Sequence, residues 1–147
     1  MDDLLNLSGK LHIVVKDSTG KTKVDVIVPN LIVTVGKTFA ASRMSSASTT
    51  VMTHMAIGSG TTAAVVGNTT LETELARVAL TVSGGTPSGG SISYAASFGA
   101  GVGTGTITEA GILNASSGGT LLARAVFTAI PKGAGDTIDI VWTVTAG

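Results

Sequence analysis

Glu109, inside the run GTGTITEAGIL (residues 103–113), is the only carboxylate between Glu74 and Asp136. A lone acid in an uncharged, glycine-flanked stretch has two readings: acid–base chemistry, or a carboxylate that holds a fold or an assembly together. Acid–base work needs a second group in hydrogen-bond reach of the same reacting atom. Glu72 and Glu74 are the other glutamates, and at a spacing of two they face different ways on a helix. Histidines number two. His12 falls on the polar face of a strand pattern, and His54 lies between Met52 and Met55 in another. Neither has a partner four residues away or a carboxylate near in sequence, so no zinc site forms from sequence-local ligands. A half-buried strand histidine held by a backbone hydrogen bond is the simpler reading of His54. Serines are plentiful, but Gly58-Ser59-Gly60 lacks the spacing of a nucleophile elbow and Ser88 in TPSGG is a turn residue. Cysteine is absent, which removes thiolate nucleophiles, thiolate metal sites and disulfides. No catalytic, cofactor-binding or metal-binding set assembles.

Two triplets, Gly20-Lys21-Thr22 and Gly36-Lys37-Thr38, have the ending of a phosphate-binding loop. That loop also needs a glycine five residues upstream so that the backbone can wrap the phosphates. Val15 and Leu31 stand there instead. GAGVGTG (residues 99–105) is dense in glycine, yet Thr104 and Thr106 occupy the places where the last glycine of a dinucleotide fingerprint falls. The run also lies between strands, without the helix whose N-terminus would face a pyrophosphate.

That leaves Glu109 to be placed structurally. In a regular strand it shares a face with Ile107, and an ionised carboxylate on a core-facing side is costly unless paired. Arg77 or Arg124 could neutralise it with a two-pronged contact; alternatively Gly111 marks a bulge that turns the acid outward. The specific expectation is a Glu109–Arg77 pair, within a subunit or across an interface.

The elements that must position these groups read as strands. KLHIVVK (residues 10–16) and KVDVIVP (residues 23–29) each alternate apolar and polar residues, and DSTGK between them supplies turn chemistry, so a hairpin is expected. NLIVTV (residues 30–35) reads as a further strand, GKTFAASRM (residues 36–44) as one or two helical turns, SSASTT as a loop and VMTHMAI (residues 51–57) as a buried strand. Thr69, three residues before Glu72, matches a capping box opening a short helix LETELA. From Arg77 onward RVALTVS, SISYAASF, TITEAGIL, TLLARAVF and TIDIVWTVT are separated by GGTPSGG, GAGVG, NASSGG and PKGAGD. In the last strand Ile138, Ile140, Trp142 and Val144 share one face. The pattern predicts a mainly β chain, an antiparallel, jelly-roll-like β-sandwich with one or two short helices. It forms a single domain over residues 1–147, with residues 1–8 a candidate N-terminal arm.

Charged residues make up 12% of the 147 residues and the formal net charge is zero, against about 25% charged in an ordinary globular domain. The nine Lys and Arg are scattered and aromatics are 3%, so neither the electrostatic footprint nor the stacking platforms of a nucleic-acid binder are present. No apolar run reaches transmembrane length, and MDDLLNLSGK lacks the basic and apolar regions of a signal peptide. A low-charge surface of Thr, Ser, Ala and Gly suits a subunit packed against copies of itself or a larger shell.

Three segments, HMAIGSGTTAAVVGNTTLETELAR (residues 54–77), GTITEAGILNASSGGTLLARAVF (residues 105–127) and IPKGAGDTIDIVWTVT (residues 130–145), resemble a pattern in tailed-bacteriophage virion proteins. In that pattern an IGxG loop precedes a TxLxxE…R helix. A strand with I-x-E-x-G follows, then an A-R-x-x-F strand and a closing strand with K…D…I-x-W. Ile57, Gly58, Gly60, Leu71, Glu74, Arg77, Ile107, Glu109, Gly111, Arg124, Phe127, Lys132 and Trp142 occupy the matching places. The resemblance implies a β-sandwich, commonly trimeric, with a structural role in the virion, no enzymatic activity and no cofactor. The short chain favours a capsid decoration (cement) protein bound to the major capsid protein over a tail, collar, fibre or baseplate subunit. A carbohydrate-binding module is the reading from another class; its aromatic platform would have to come from Tyr94 or Trp142.

Overall fold

The computed structural model describes residues 6–45 and 50–147. Ten strands and one helix follow in chain order: β1 (Leu7–Lys16), β2 (Thr22–Pro29), β3 (Leu31–Ile32), α1 (Thr34–Arg43), β4 (His54–Gly58), β5 (Glu74–Ala79), β6 (Thr86–Ser88), β7 (Ser91–Phe98), β8 (Gly105–Leu113), β9 (Leu121–Lys132) and β10 (Thr137–Ala146). They form two five-stranded antiparallel sheets, β2-β1-β10-β7-β6 and β3-β9-β8-β4-β5. The first hairpin forms as the sequence predicts. Asp17 accepts hydrogen bonds from the backbone N–H groups of Thr19 and Lys21, and Gly20 takes the left-handed conformation (φ 86°) that closes the turn.

The sheets pack face to face into a β-sandwich. The alternation of β10 puts Ile138, Ile140, Trp142 and Val144 inside, beside Leu11, Ile13 and Val15 of β1 and Tyr94, Ala96 and Phe98 of β7. The opposing sheet contributes Met55, Ile57, Ile107, Ala110, Ile112, Ala123 and Ala125 to the same core. A second, smaller apolar cluster lies on the outer face of that sheet, where Val33, Ala56, Leu71, Leu113 and Leu121 meet. The segment 59–73, running from β4 to β5, covers that face.

Four local expectations are corrected. The strand expected at residues 30–35 stops at Ile32, because Leu31 and Ile32 alone pair with β9 and the chain then turns into α1. Thr34 and Val35 are therefore helical; the Thr34 N–H donates to the Val66 carbonyl at 2.8 Å. LETELA is not a helix: Glu74–Ala79 pairs with β4 as β5, and the amides of Glu72 and Thr73 bond elsewhere. GGTPSGG contains a three-residue edge strand, β6, and β9 runs through Pro131. Pro131 is tolerated there because β3 pairs only with Ala123 and Arg124, so that edge of β9 carries no ladder at Pro131. Of the candidate N-terminal arm, Leu7 and Ser8 belong to β1 and pair with Ala146 and Thr145; residues 1–5 lie outside the described residues, as do residues 46–49 of the expected SSASTT loop.

Candidate functional site

Glu109 is fully buried, and the reason begins with register. Ile107 pairs with Ile130 but Glu109 pairs with Val126, so an irregularity falls between them. Across it β8 advances two residues and β9 four, so the extra residues lie on β9, within 127–129, and the alternation of β8 is broken: Ile107 and Ala110 face the core while Glu109 meets the segment on the opposite face. The irregularity therefore falls between Ile107 and Glu109, with its extra residues on β9, and not at Gly111 as one sequence alternative had it. Thr108 donates its hydroxyl to the Gly60 carbonyl at 2.7 Å.

On that outer face the segment 59–73 closes over the carboxylate. Glu109 Oε2 accepts from the Gly60 and Thr73 N–H groups, both at 2.7 Å, and Oε1 accepts from Glu72 N–H at 2.8 Å and Arg124 Nε at 3.0 Å. Four donors meet the four lone-pair directions a carboxylate offers. Two close approaches make this possible. A Cβ on Gly60 would stand 2.3 Å from Glu109 Oε2, and one on Gly58 would stand 2.2 Å from the Thr73 carbonyl oxygen. Gly111 has a related role, since a Cβ there would meet the methyl ends of Leu71 and Leu121 at 2.8 and 2.9 Å. Glu72 does not form a capping box with Thr69. Its carboxylate accepts from the Thr61 and Thr62 amides at 2.9 and 3.2 Å, and hydrogen bonds from Thr62 and Thr61 hold its pKa below the usual carboxylate range. The amides that a helix N-terminus would leave open are thus taken by side chains distant in sequence.

The expected Glu109–Arg77 pair does not form; Arg124, the other named candidate, is the partner. Cross-strand rows explain the choice. Glu109 stands opposite Gly58 and Val126, whereas Gly111 stands opposite Ala56 and Arg124. Arg124 is thus a diagonal neighbour of Glu109 on the adjacent strand, while Arg77 on β5 is separated from it by β4. The contact uses Nε alone and is not two-pronged. Arg124 Nη1 donates to Asn68 Oδ1 at 3.1 Å, and Nη2 has no hydrogen-bond acceptor among the described residues. Arg77 makes the two-pronged contact with Glu74 instead, at 3.0 and 2.7 Å, and its Nη1 donates to the carbonyls of Ala115 and Gly118. Glu74 and Arg77 therefore tie the β8–β9 connection to β5.

The remaining candidates are dispersed. His12 Nε2 lies 2.6 Å from Asp25 Oδ1 on the exposed face of the first hairpin. His54 meets the hydroxyl of Thr53 at 2.7 Å, a side-chain partner where a backbone one was expected. The two histidines belong to different sheets, and no cluster of three or more metal-ligating side chains occurs among the described residues. Gly20-Lys21-Thr22 lies at a hairpin turn and Gly36-Lys37-Thr38 inside α1, where Gly36 abuts the Leu122 carbonyl. GAGVGTG joins β7 of one sheet to β8 of the other. Trp142 is wholly enclosed, its Nε1 without a partner among the described residues, and none of the five aromatic side chains is exposed. A carbohydrate platform of the usual stacked-aromatic kind is not presented.

Sequence reasoning did not single out two further arrangements. Asn68 bridges Arg124 and the Val65 amide. Lys132 Nζ, nearly inaccessible, donates to the Gly99 carbonyl at 2.9 Å, while Asp136 accepts from Lys23 Nζ at 2.7 Å and Gly133 N–H at 2.8 Å. Burial holds the Lys132 ammonium pKa down, against the opposing pull of Asp136; the hydrogen bond from Lys23 comes first in holding the Asp136 pKa down. For Lys132 the local signal was a charged residue at the end of a largely apolar strand, much as for Glu109, whereas Asn68 and Asp136 lie in connecting segments and carried no such signal.

The architecture is thus an all-β sandwich whose buried ion pair clasps a long connecting loop. Comparison with protein-family models, curated proteins and solved structures finds no match. No helix among the described residues is long and apolar enough to cross a membrane.

Proposed function

We propose that this chain is a structural subunit of a tailed-bacteriophage virion, a capsid decoration protein that self-associates, with a trimer expected, and bridges neighbouring major capsid subunits. The observation that carries the reading is where the exposed apolar side chains sit. Ile27 (64% exposed) and Val141 (44%) flank His12 in one cross-strand row on the outer face of β2-β1-β10. Val65 (54%) and Val66 (51%) project from the segment 59–73. That segment is held by the Glu72, Asn68 and Glu109 hydrogen bonds and by the Thr34–Val66 backbone bond. Apolar side chains on firmly held elements cost little further ordering on association. Low charge lessens the repulsion between packed copies.

The sequence resemblance supports the same reading. Gly58, Gly60, Leu71, Glu109, Gly111 and Arg124 converge on the clasp, and Glu74 with Arg77 forms the neighbouring one. Residues that hold a surface loop in one shape are what a repeated lattice contact needs, since each weak contact is multiplied by valency. A tail, collar, fibre or baseplate subunit would use the same surfaces.

Sedimentation equilibrium should give a trimer mass for the wild type. It should give a monomer for Ile27→Lys/Val141→Lys that still unfolds cooperatively, with a melting temperature independent of its concentration; a monomeric wild type at high micromolar concentration refutes the self-association. Mass spectrometry of purified virions followed by immunogold labelling should place the protein on the head. Label on the tail selects the alternative, and absence from virions removes the virion role.

A further inference from the structure

β2 stands at the rim of its sheet, paired with β1 on one side and with no strand among the described residues on the other. The Asn30 N–H donates to the Gly9 carbonyl at 3.2 Å, and that bond fixes the phase of the ladder. Bonded pairs alternate with unbonded ones, so Val24, Val26 and Val28 turn their main-chain groups toward β1, while Asp25, Ile27 and Pro29 turn theirs outward. Proline's missing N–H thus falls on the open side, at the end of the strand. Asp25 and Ile27, both exposed, each present an N–H and a carbonyl there. On the core side of β2, Val24 and Val28 are only half-buried and Val26 is 37% exposed. Two other rims are blunted: β6 has three residues and contains Pro87, and the open stretch of β9 contains Pro131. Residues 24–28 contain no proline, glycine or lysine, residues that weaken or discourage edge pairing.

The partner follows from the pattern of this edge. Val24, Val26 and Val28 are symmetric about Val26, so the strand complements a copy of itself. With a second β2 laid antiparallel across a twofold axis at Val26, Asp25 meets Ile27 of the second copy and Ile27 meets its Asp25. Both are bonded pairs, and each exchanges both N–H···O bonds. On the core side Val26 meets Val26 and Val24 meets Val28, the β-branched pairs that stabilise a sheet. Neighbouring registers are worse. An axis at Asp25 sets two carboxylates directly opposite each other. An axis at Ile27 sets Asp25 against Pro29, which has no N–H to give. An axis at Val24 leaves Val28 facing beyond the start of the strand at Thr22, and it centres on the end of the ladder where the β1–β2 register shifts. A twofold contact between identical edges closes on two copies and does not propagate into a fibre.

We infer that β2 is a docking edge for β2 of a second copy of this chain, paired about an axis at Val26 so that the two sheets become one continuous sheet. Eight residues of strand at about 3.4 Å each, by a strip about 10 Å wide on each copy, give about 540 Å². A stable free complex buries about 1,200 Å² or more, so the contact is transient in solution and gains strength where copies are already held side by side. It does not rest on the virion reading, nor on the Ile27–Val141 row, which offers side chains and not main chain. The chain has no cysteine, so single substitutions report on the contact by disulfide trapping. In this register the two Val26 residues form an unbonded pair with Cα atoms about 4.5 Å apart, within the span of about 4.4–6.8 Å that a disulfide bridges. Two Val24 residues lie four positions out of register, about 14 Å apart. At millimolar concentration with oxidised glutathione, Val26→Cys should form the linked dimer at least about tenfold faster than Val24→Cys. Val24→Cys/Val28→Cys, whose cysteines face each other across the axis, should link as readily as Val26→Cys, and it carries the same comparison if Val26→Cys fails to fold. In the linked dimer the Asp25 and Ile27 amides should gain protection from hydrogen exchange. Linkage of Val26→Cys or of the double variant no faster than that of Val24→Cys overturns the pairing, as do unprotected Asp25 and Ile27 amides in the linked dimer.

Discussion

Glu109→Gln tests the clasp most directly, because it keeps the side-chain shape and changes only what the oxygens can accept. In the wild type Oε1 and Oε2 receive two donors each. The glutamine carbonyl can serve one of those pairs; the NH₂ group then faces two donors with nothing to accept them. Each buried donor left unsatisfied costs about 1–3 kcal/mol. The substitution also strips the counter-charge from Arg124, which is 1% exposed, and removing one partner of a buried ion pair costs about 3–5 kcal/mol. These terms overlap, since Arg124 Nε is among the donors, so the net expectation is about 3–5 kcal/mol. Against a total stability of about 5–15 kcal/mol, that is about a fifth or more of what holds the domain folded. Urea unfolding followed by Trp142 fluorescence should show a lower midpoint, with melting lowered by roughly 6–20 °C at about 2–4 °C per kcal/mol. Hydrogen exchange should locate the change, with Gly60, Glu72 and Thr73 amides losing protection before those of β10. A Glu109→Gln protein within about 0.5 kcal/mol of wild type, with those three amides still protected, would refute the role assigned to the clasp.

Two further predictions separate contact types and charge states. Gly60→Ala should cost more than Gly111→Ala in urea midpoint, because the new Cβ meets an anchored carboxylate at 2.3 Å in one case and the movable ends of leucine side chains at 2.8–2.9 Å in the other; equal costs would show that the carboxylate is free to shift. Asp136 titrates below its ordinary value of about 3.9, first because Lys23 donates to it. A depressed folded pKa contributes stability that is present above the unfolded pKa and is lost as pH falls through the folded one. The advantage of wild type over Asp136→Asn, read from urea midpoints, should therefore be constant at neutral pH and shrink below about pH 4. A difference independent of pH would exclude the charge as its source.

Much of the sandwich was legible because strand patterning is local. Alternation in residues 10–16, 23–29 and 137–145 dictates which side chains face inward, and the structure places Leu11, Ile13, Val15, Ile138, Ile140 and Trp142 there. The helical turns after Gly36 were visible from their loss of that period. What misled the reading of LETELA was a competition that no local pattern records: a capping box and a distant carboxylate can claim the same amides, and Glu109 won them.

The candidates for the clasp were also visible as unusual, a lone acid, two arginines of which only Arg124 joins it, and three glycines, but not their pairing. The register irregularity between Ile107 and Glu109 decides whether the acid faces the core or the loop, and such an irregularity leaves the sequence pattern almost unchanged. Strand order then places Arg124 beside Glu109 and puts β4 between Glu109 and Arg77. Amino-acid types by themselves determined that a buried charge needs a partner and that glycine permits close approach. Only the tertiary structure decided which partner and which approach, because register and strand adjacency are set by the packing of the two sheets together.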